Sequence, residues 1–405
     1  MNAVAERLRA LLGDDAVSEA AATDAPPRAA PASQDAVALL LRTASALGWK
    51  VRIEGNGTWV APDAPADVAL STHRLNRVLA VEPQNLVASV EAGVSLERLS
   101  QHLAEREVWL ALDAPGVPSR TLGSVVATGT AGPLREGFGP IRDHLLGLTC
   151  VTGDGRVITA GGRVVKNVAG YDLTRLMTGA FGAFGVIVAV NVRLRTLPRV
   201  DRTLLAVGSR DALAQLARDI RAEGARPAAL ELVSAALAGL PDWCLAARVA
   251  GPPTAVDAEA QVVRRVAGDR LRTLETVESH DFWNRAATGL LAGPVTLRIG
   301  GLPDALDDLL DVVRHQLGLD ERVSATPGAG TIRWTGSTTA DRLHHLRRAL
   351  SEREVPLTLE RAPWLIRRSV GHFGAYREGV GPLVSGLRTS FDPGGTLVTA
   401  IGDRS

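Results

Sequence analysis

Lysine is almost missing from this chain. Lys50 and Lys166 are the only two among 45 basic residues, and arginine supplies the rest. With 44 acidic residues the formal net charge is +1, so no basic field is available to hold a nucleic-acid backbone. Cysteine is equally scarce. Cys150 and Cys244 cannot make a disulfide framework, nor can they ligate an iron–sulfur cluster, which takes about four ligands. They read as inert buried thiols of a reduced cytosolic protein. No run approaches the ~18 apolar residues that cross a bilayer. The N-terminus (MNAVAERLRALLGDDAVSEAA) alternates charge with Leu and Ala at helical spacing and lacks the apolar core of a signal peptide. The expected location is the cytoplasm, with any membrane contact made through partners. Phosphate-binding G-x-x-x-x-G-K-[ST] is absent, and so is a complete G-x-G-x-x-G in strand–turn–helix context. No i, i+4 histidine pair or carboxylate cluster supports a metal site.

What is present is a chain of 405 residues, 46% hydrophobic and 22% charged. That length fits two to three domains, and that composition builds a sizeable core. Residues 22–33 are Ala/Pro-rich and read as an extended connection. Ser33 caps a helix (QDAVALLLRTASALG) with apolar positions at helical spacing, and Gly48 ends it. A short strand then runs into EGNGT. Two strand-like runs follow (VLAVEP, LVASVEAG), then a helix opened by Ser95, then VWLALDAP as a strand. LTCVTGDGRVITAG reads as a hairpin turning on the two residues Asp154-Gly155. A short helix at 173–180 and a long strand at 185–195 close this first module. From about 203 the pattern becomes strand–helix–strand, three times over. That spacing predicts an α+β domain of ferredoxin-like type, one antiparallel sheet covered by helices.

Three side-chain-poor segments stand out in the first half: GNGT at 55–58, TLGSVVATGTAG at 121–132 and GAFGAFG at 179–185. Glycine lets backbone N–H groups approach a phosphate with no Cβ in the way, and consecutive N–H groups form an anion nest. Taken singly, GNGT reads equally as a tight turn after a strand. Taken in order inside one module, the three can hold the two charges of a dinucleotide without a net-basic protein.

The ordered set resembles the FAD-binding module of the vanillyl-alcohol oxidase/PCMH superfamily, and the whole chain is most similar to FAD-binding subunits of the glycolate oxidase family. The residues that carry this are VRIEGNGTW, the strand pair LNRVLAVEPQNLVASVEAGVSLERL, TLGSVVATGTAGPLREGFGPIRDHLLG, the hairpin TGDGRVI, KNVAGYDL at 166–173 and GAFGAFGVI at 179–187. The resemblance is strong over 30–200 and looser beyond. It implies an α+β PCMH-type module of two subdomains followed by a ferredoxin-like cap: an N-terminal helix and connection at 1–29, the FAD domain at 30–200, the cap at 201–370, and a tail at 371–405 returning to the FAD domain. It also implies roles. Gly55, Asn56, Gly57 and Thr58 resemble the pyrophosphate loop. Thr121, Leu122, Gly123, Thr128, Ala131 and Gly132 resemble the second FAD loop. Gly185, Val186 and Ile187 resemble the segment near the adenosine half.

Departures from the family pattern are specific. Asn56 replaces a glycine, and asparagine tolerates φ > 0 best among the other residues. Trp59 stands near where some relatives carry a histidine linked covalently to the flavin, so non-covalent FAD is expected. Ser124 replaces a second glycine, and Ala180, Phe181 and Phe184 replace Ser, Glu and Leu. The histidine- and acid-rich motifs of catalytic relatives are missing, leaving the catalytic groups unknown. Three weak candidates remain: Lys166 as a cation beside flavin or substrate carboxylate, or a surface charge; Tyr171 in the same loop; and His372. Adjacent Asp172 is equally readable as a helix N-cap.

The implied function is an FAD-dependent oxidoreductase subunit of a glycolate oxidase-like complex. It would act on a small 2-hydroxy acid (glycolate to glyoxylate) and pass electrons to partners, a larger FAD-linked subunit and an iron–sulfur subunit. The alternatives are a self-sufficient FAD-dependent dehydrogenase or oxidase of another small hydroxy acid or alcohol, and a non-catalytic FAD-binding assembly subunit.

Overall fold

The computed structural model describes residues 2–18, 25–60, 63–163, 171–268, 271–318, 322–374 and 376–399. Two small sheets build the first half. In one, strands Val17–Ser18, Arg28–Ala29, Val68–Ser71 and Val51–Glu54 lie side by side in that order, the last three parallel. The helix Gln34–Leu47 packs on it through Val37, Leu40 and Leu41, all fully buried. Ser33 Oγ accepts from Ala36 N at 3.2 Å, and Gly48 ends the helix at φ +71°, as the caps predict. The second sheet is antiparallel: Val78–Glu82, Val87–Glu91, Val186–Arg193, Leu145–Val151 and Val157–Gly161.

Two local readings are corrected. The hairpin loop is not the two residues Asp154-Gly155. Thr152 N donates to Arg156 O and Gly155 N to Thr152 O, both at 2.9 Å, so three residues form the loop and Gly155 sits at φ +82°. The extra residue frees Gly153 N, which donates to Phe391 O at 2.9 Å and ties the C-terminal helix down. The second correction concerns the segment 121–132. It contains a helix, Leu122–Thr128. Thr121 Oγ1 accepts from Ser124 N at 3.2 Å, and Gly129 closes it at φ +61°. A Cβ on Gly123 would lie 2.7 Å from Ala92 Cβ and 2.8 Å from Ala92 O, so only glycine lets this helix lie against the strand end.

The second half is one eight-stranded antiparallel sheet, built as two units rather than three repeats. Strands Val200–Gly208, Ala229–Val233, Trp243–Gly251 and Leu271–Leu274 stack in the order fourth, first, third, second. Strands Arg322–Thr326, Thr331–Gly336, Val295–Gly300 and Leu357–Arg361 continue the sheet in the mirror arrangement, joined through Leu232 and Ala325. Each unit is a ferredoxin-like βαββαβ. The sequence pattern misses Arg322–Thr326, a five-residue strand read as a turn, and Leu357–Arg361. Helices Arg210–Ala222, Pro253–Ala267, Leu306–Leu317 and Ala340–Ser351 cover the sheet with Ile220, Val263, Leu310 and Leu346.

After this sheet the chain returns to the first module. The helix Val380–Phe391 packs Val384, Leu387 and Phe391 against the core of the antiparallel sheet. Asp392 is buried and caps Thr396 N and Leu397 N at 2.8 and 2.9 Å. Leu397 bridges Val51 in parallel, extending the first sheet. Among the described residues, no helix is long and apolar enough to cross a membrane.

Candidate functional site

A solvent-open cleft lies where the two small sheets meet the end of the large one. Its floor is the loop after the strand Val51–Glu54. Gly57 sits at φ +68°, a conformation that favours glycine, and a Cβ there would meet nothing within 4 Å. The positive φ therefore falls on Gly57, not on Asn56, whose Nδ2 instead donates to Ser119 O at 2.7 Å. Ser71 Oγ donates to Gly55 O at 2.8 Å and fixes the loop's entry. None of the main-chain N–H groups of residues 56–59 donates to an acceptor among the described residues. Four consecutive N–H groups without an acceptor among the described residues, in a loop that lines the cleft, suit an anion.

One wall comes from the helix Leu122–Thr128 through Gly123, Ser124, Ala127 and Thr128. The opposite wall comes from Phe181, Gly182, Gly185 and Ile187. The third comes from the far end of the chain, Trp364, Arg367 and His372, with Val398 and Thr399 from the tail. Trp364 N donates to Asp63 Oδ2 at 2.6 Å, and Arg367 pairs with Asp63 through Nη2, so one carboxylate ties this wall to the glycine loop.

The structure thus brings together Gly55, Asn56, Gly57, Thr58, Gly123, Thr128, Gly185, Ile187 and His372. It does not bring the other predicted residues into the lining. Thr121 is a helix cap, and a Cβ on Gly55 would collide with its hydroxyl. Leu122 is fully buried and its N–H is held by Val94 O. Val186 is buried in the core beneath the helix Gln34–Leu47. Ala131 and Gly132 lie beyond the helix, where Ala131 O accepts from Arg333 Nη2 at 3.1 Å and Gly132 borders a second, smaller cavity. Tyr171 is 94% exposed and lies outside the cleft lining. Asp172 takes its other reading: its Oδ1 caps Arg175 N at 3.1 Å. Lys166 lies outside the described residues.

Several lining groups were not legible beforehand. The caps Thr121 and Gly129 were a signal for the helix that carries Ser124 and Ala127. Trp364 and Arg367 gave no signal, because their nearest partner, Asp63, is some three hundred residues away in sequence. Phe181 sits at φ +49°, unusual for an aromatic residue. Its N–H donates to Ala127 O at 2.7 Å, and its ring stacks on His372 with centroids 3.9 Å apart. Burial lowers the His372 pKa to about 4. Its Nδ1 lies 2.7 Å from Leu359 O, which can only accept, so the neutral ring carries its proton on Nδ1 and leaves Nε2 as an acceptor.

The cleft fits a dinucleotide on its own evidence. Beyond those N–H groups, Trp59 is 2% exposed and its Nε1–H finds no acceptor among the described residues. A sealed, unmet donor in a cleft wall is rare in a finished site and points to an acceptor brought by a ligand. Among the described residues no group of three or more His, Cys, Asp or Glu side chains could hold a metal. Both thiols are buried, and desolvation pushes each pKa up to about 12.

The chain resembles known proteins over part of its length. Residues 27–161 match the family model of an FAD binding domain. The chain is 31% identical over 209 residues to glycolate oxidase subunit GlcD of Bacillus subtilis (strain 168), covering 50% of this chain and 44% of that protein. It is 37% identical over 124 residues to glycolate oxidase subunit GlcE of Escherichia coli (strain K12), covering 30% of this chain and 35% of that one. The matched stretch thus spans less than half the length of either relative. In fold, the chain superposes on 4-ethylphenol oxidase from Gulosibacter chungangensis, solved as an isoeugenol complex. The TM-score is 0.73 at 15% identity, over 98% of this chain and 95% of that one. The chain thus contains a segment, residues 27–161, that matches an FAD binding domain.

Proposed function

We propose that this chain is the FAD-bearing oxidoreductase subunit of a glycolate oxidase-like complex, acting on a small 2-hydroxy acid. The observation that carries the reading is the run of N–H groups at 56–59 with no acceptor among the described residues, beside the unmet Trp59 donor, in a loop that lines the cleft. In this reading residues 55–59 hold the diphosphate, Gly123, Ser124 and Thr128 flank the cofactor on one side, and Gly185 and Ile187 on the other. Bound FAD supplies the two-electron oxidation chemistry. Among the described residues the lining holds no lysine or cysteine and a single, low-basicity histidine, which favours non-covalent FAD. His372 suits a hydrogen-bond acceptor rather than a base, because a pKa near 4 sits far below working pH.

The chain has no cluster of its own, so a partner carrying iron–sulfur centres is the electron acceptor in this proposal, within an assembly that also holds a larger flavoprotein subunit. Likeness to two glycolate oxidase subunits supports that arrangement. The test is anaerobic addition of glycolate to the purified chain, alone and with its co-purifying partners. Bleaching of the flavin near 450 nm only in the assembly supports the proposal. Bleaching by the lone chain favours a self-sufficient dehydrogenase, and no bleaching in either favours a non-catalytic FAD-binding subunit.

A further inference from the structure

Arg120 is fully buried, yet no carboxylate pairs with it among the described residues. Its Nη1 donates to Pro115 O at 2.5 Å, its Nη2 to Thr128 Oγ1 and Thr130 Oγ1 at 2.7 Å each, and its Nε to Ser124 Oγ at 3.3 Å. All of these acceptors are neutral. The guanidinium lies over the Trp59 ring, 4.3 Å from its centroid. Trp59, Ser124 and Thr128 all line the FAD cleft, so the charge sits directly behind that wall. Desolvation lowers its pKa to about 9, which leaves it a cation at neutral pH.

The surroundings offset it only in part, through the nearby charge of Glu360. Glu360, fully buried, is already shared by Arg333 and Arg298 at 2.8 and 3.0 Å. Arg135 is a further arginine of the same seam, its Nη1 donating to Thr331 Oγ1 at 3.1 Å. The other acids here, Asp113 and Glu231, are pushed by burial up to about 7 and about 8. A chain with net charge +1 therefore concentrates buried positive charge behind one wall of one cleft. An isolated buried cation costs several kcal/mol unless an anion offsets it.

We propose that Arg120 is a positioning residue for the cofactor, its unpaired buried charge being the counter-charge to a negative charge of the bound dinucleotide. Two parts of FAD carry such charge, the diphosphate and the ring once reduced, and they separate by experiment. FAD affinity and midpoint potential are measured for the wild-type chain, Arg120→Gln and Arg120→Lys. If the charge meets the diphosphate, Gln weakens binding of oxidised FAD by about tenfold or more and Lys restores most of it. If it meets the reduced ring, affinity holds and the potential of the Gln variant falls by about 30 mV, the equivalent of tenfold for a two-electron couple. Thr130→Val, which removes a hydrogen bond but no charge, moves neither.

Equal affinity and equal potential in wild type and Gln variant overturn the inference while leaving FAD binding intact. A wild-type chain that takes up no FAD removes the cofactor reading itself. Should Arg120→Gln fail to fold, Ser124→Asp decides: it places a carboxylate beside the guanidinium. An unmet charge predicts a higher Tm for the FAD-free Ser124→Asp protein, and a lower Tm overturns the proposal.

Discussion

The two halves of this molecule handle charge in opposite ways. The glycine-lined cleft is built from main chain. Its N–H groups at 56–59 have no acceptor among the described residues, and its shape depends on positions such as Gly57 and Gly123 where a Cβ is strained or collides. The eight-stranded sheet is built from side chains. It buries Glu360 between Arg333 and Arg298, and Asp201 against Arg248, with the Arg248 Nε 2.9 Å from Asp201 Oδ1. The first region stores unmet hydrogen-bonding capacity, which is what a binding site needs. The second satisfies its buried charges internally, which is what a scaffold needs.

The sharpest way to break this contrast is Glu360→Gln. It strands the buried Arg333 guanidinium and the partly exposed one of Arg298, and the expected loss is about 3–5 kcal/mol in chemical denaturation. Glu360 is not among the residues that line the cleft, so protein that remains folded should bind FAD no more weakly than wild type. Lost affinity at unchanged stability would erase the distinction between scaffold and site.

Glu231 sharpens the comparison through pH. Burial raises its pKa to about 8, against hydrogen bonds from Ser324 and Thr326 that favour the charged form. In the unfolded chain a glutamate titrates near 4.3. The folded state therefore holds the extra proton between those values. Its stabilising contribution is full below about pH 4 and is lost as pH rises towards 8, at no more than about 1.4 kcal/mol per pH unit for one proton. Glu231→Gln should flatten the fall in stability between pH 5 and 8. An unchanged slope means the carboxyl is already ionised.

Gly123→Ala acts on the other region. Its Cβ would press on the Ala92 carbonyl, which is backbone and cannot swing aside, and overpacking of this kind costs about 1–3 kcal/mol. Because the displaced helix is a cleft wall, FAD affinity should fall together with Tm. The mildest change is Trp59→Phe, which removes the unmet N–H and keeps the ring under Arg120. FAD affinity should fall by a few fold, in line with one hydrogen bond of about 0.5–1.5 kcal/mol, while the FAD-free protein keeps its Tm. A Trp59→Phe chain that binds FAD as well as wild type would deny the indole its assigned partner.

The same contrast explains what could be read in advance. Backbone devices are local, so Ser33, Gly48 and the glycine loops were legible from a few neighbouring residues. The helix Leu122–Thr128 was hidden because Val125, Val126 and Gly123 disfavour helix in isolation, and packing against Ala92 decides the matter. Side-chain devices are not local. Arg333 reaches Ala131 across about two hundred positions, and Phe181 meets His372 across nearly as many. No spacing rule reaches that far, so the buried arginine seam and the third wall of the cleft were invisible. The strand Arg322–Thr326 was missed for a related reason: its place is central in a sheet whose neighbours come from both units.

The central claim is that main-chain groups of the first module hold FAD without a covalent link. Its most direct test is the absorption spectrum of the purified chain before and after acid precipitation. The account predicts a yellow protein, or one that turns yellow with added FAD, whose flavin passes wholly into the acid supernatant. A colourless chain that takes up no FAD, or flavin that stays with the precipitate, would contradict it.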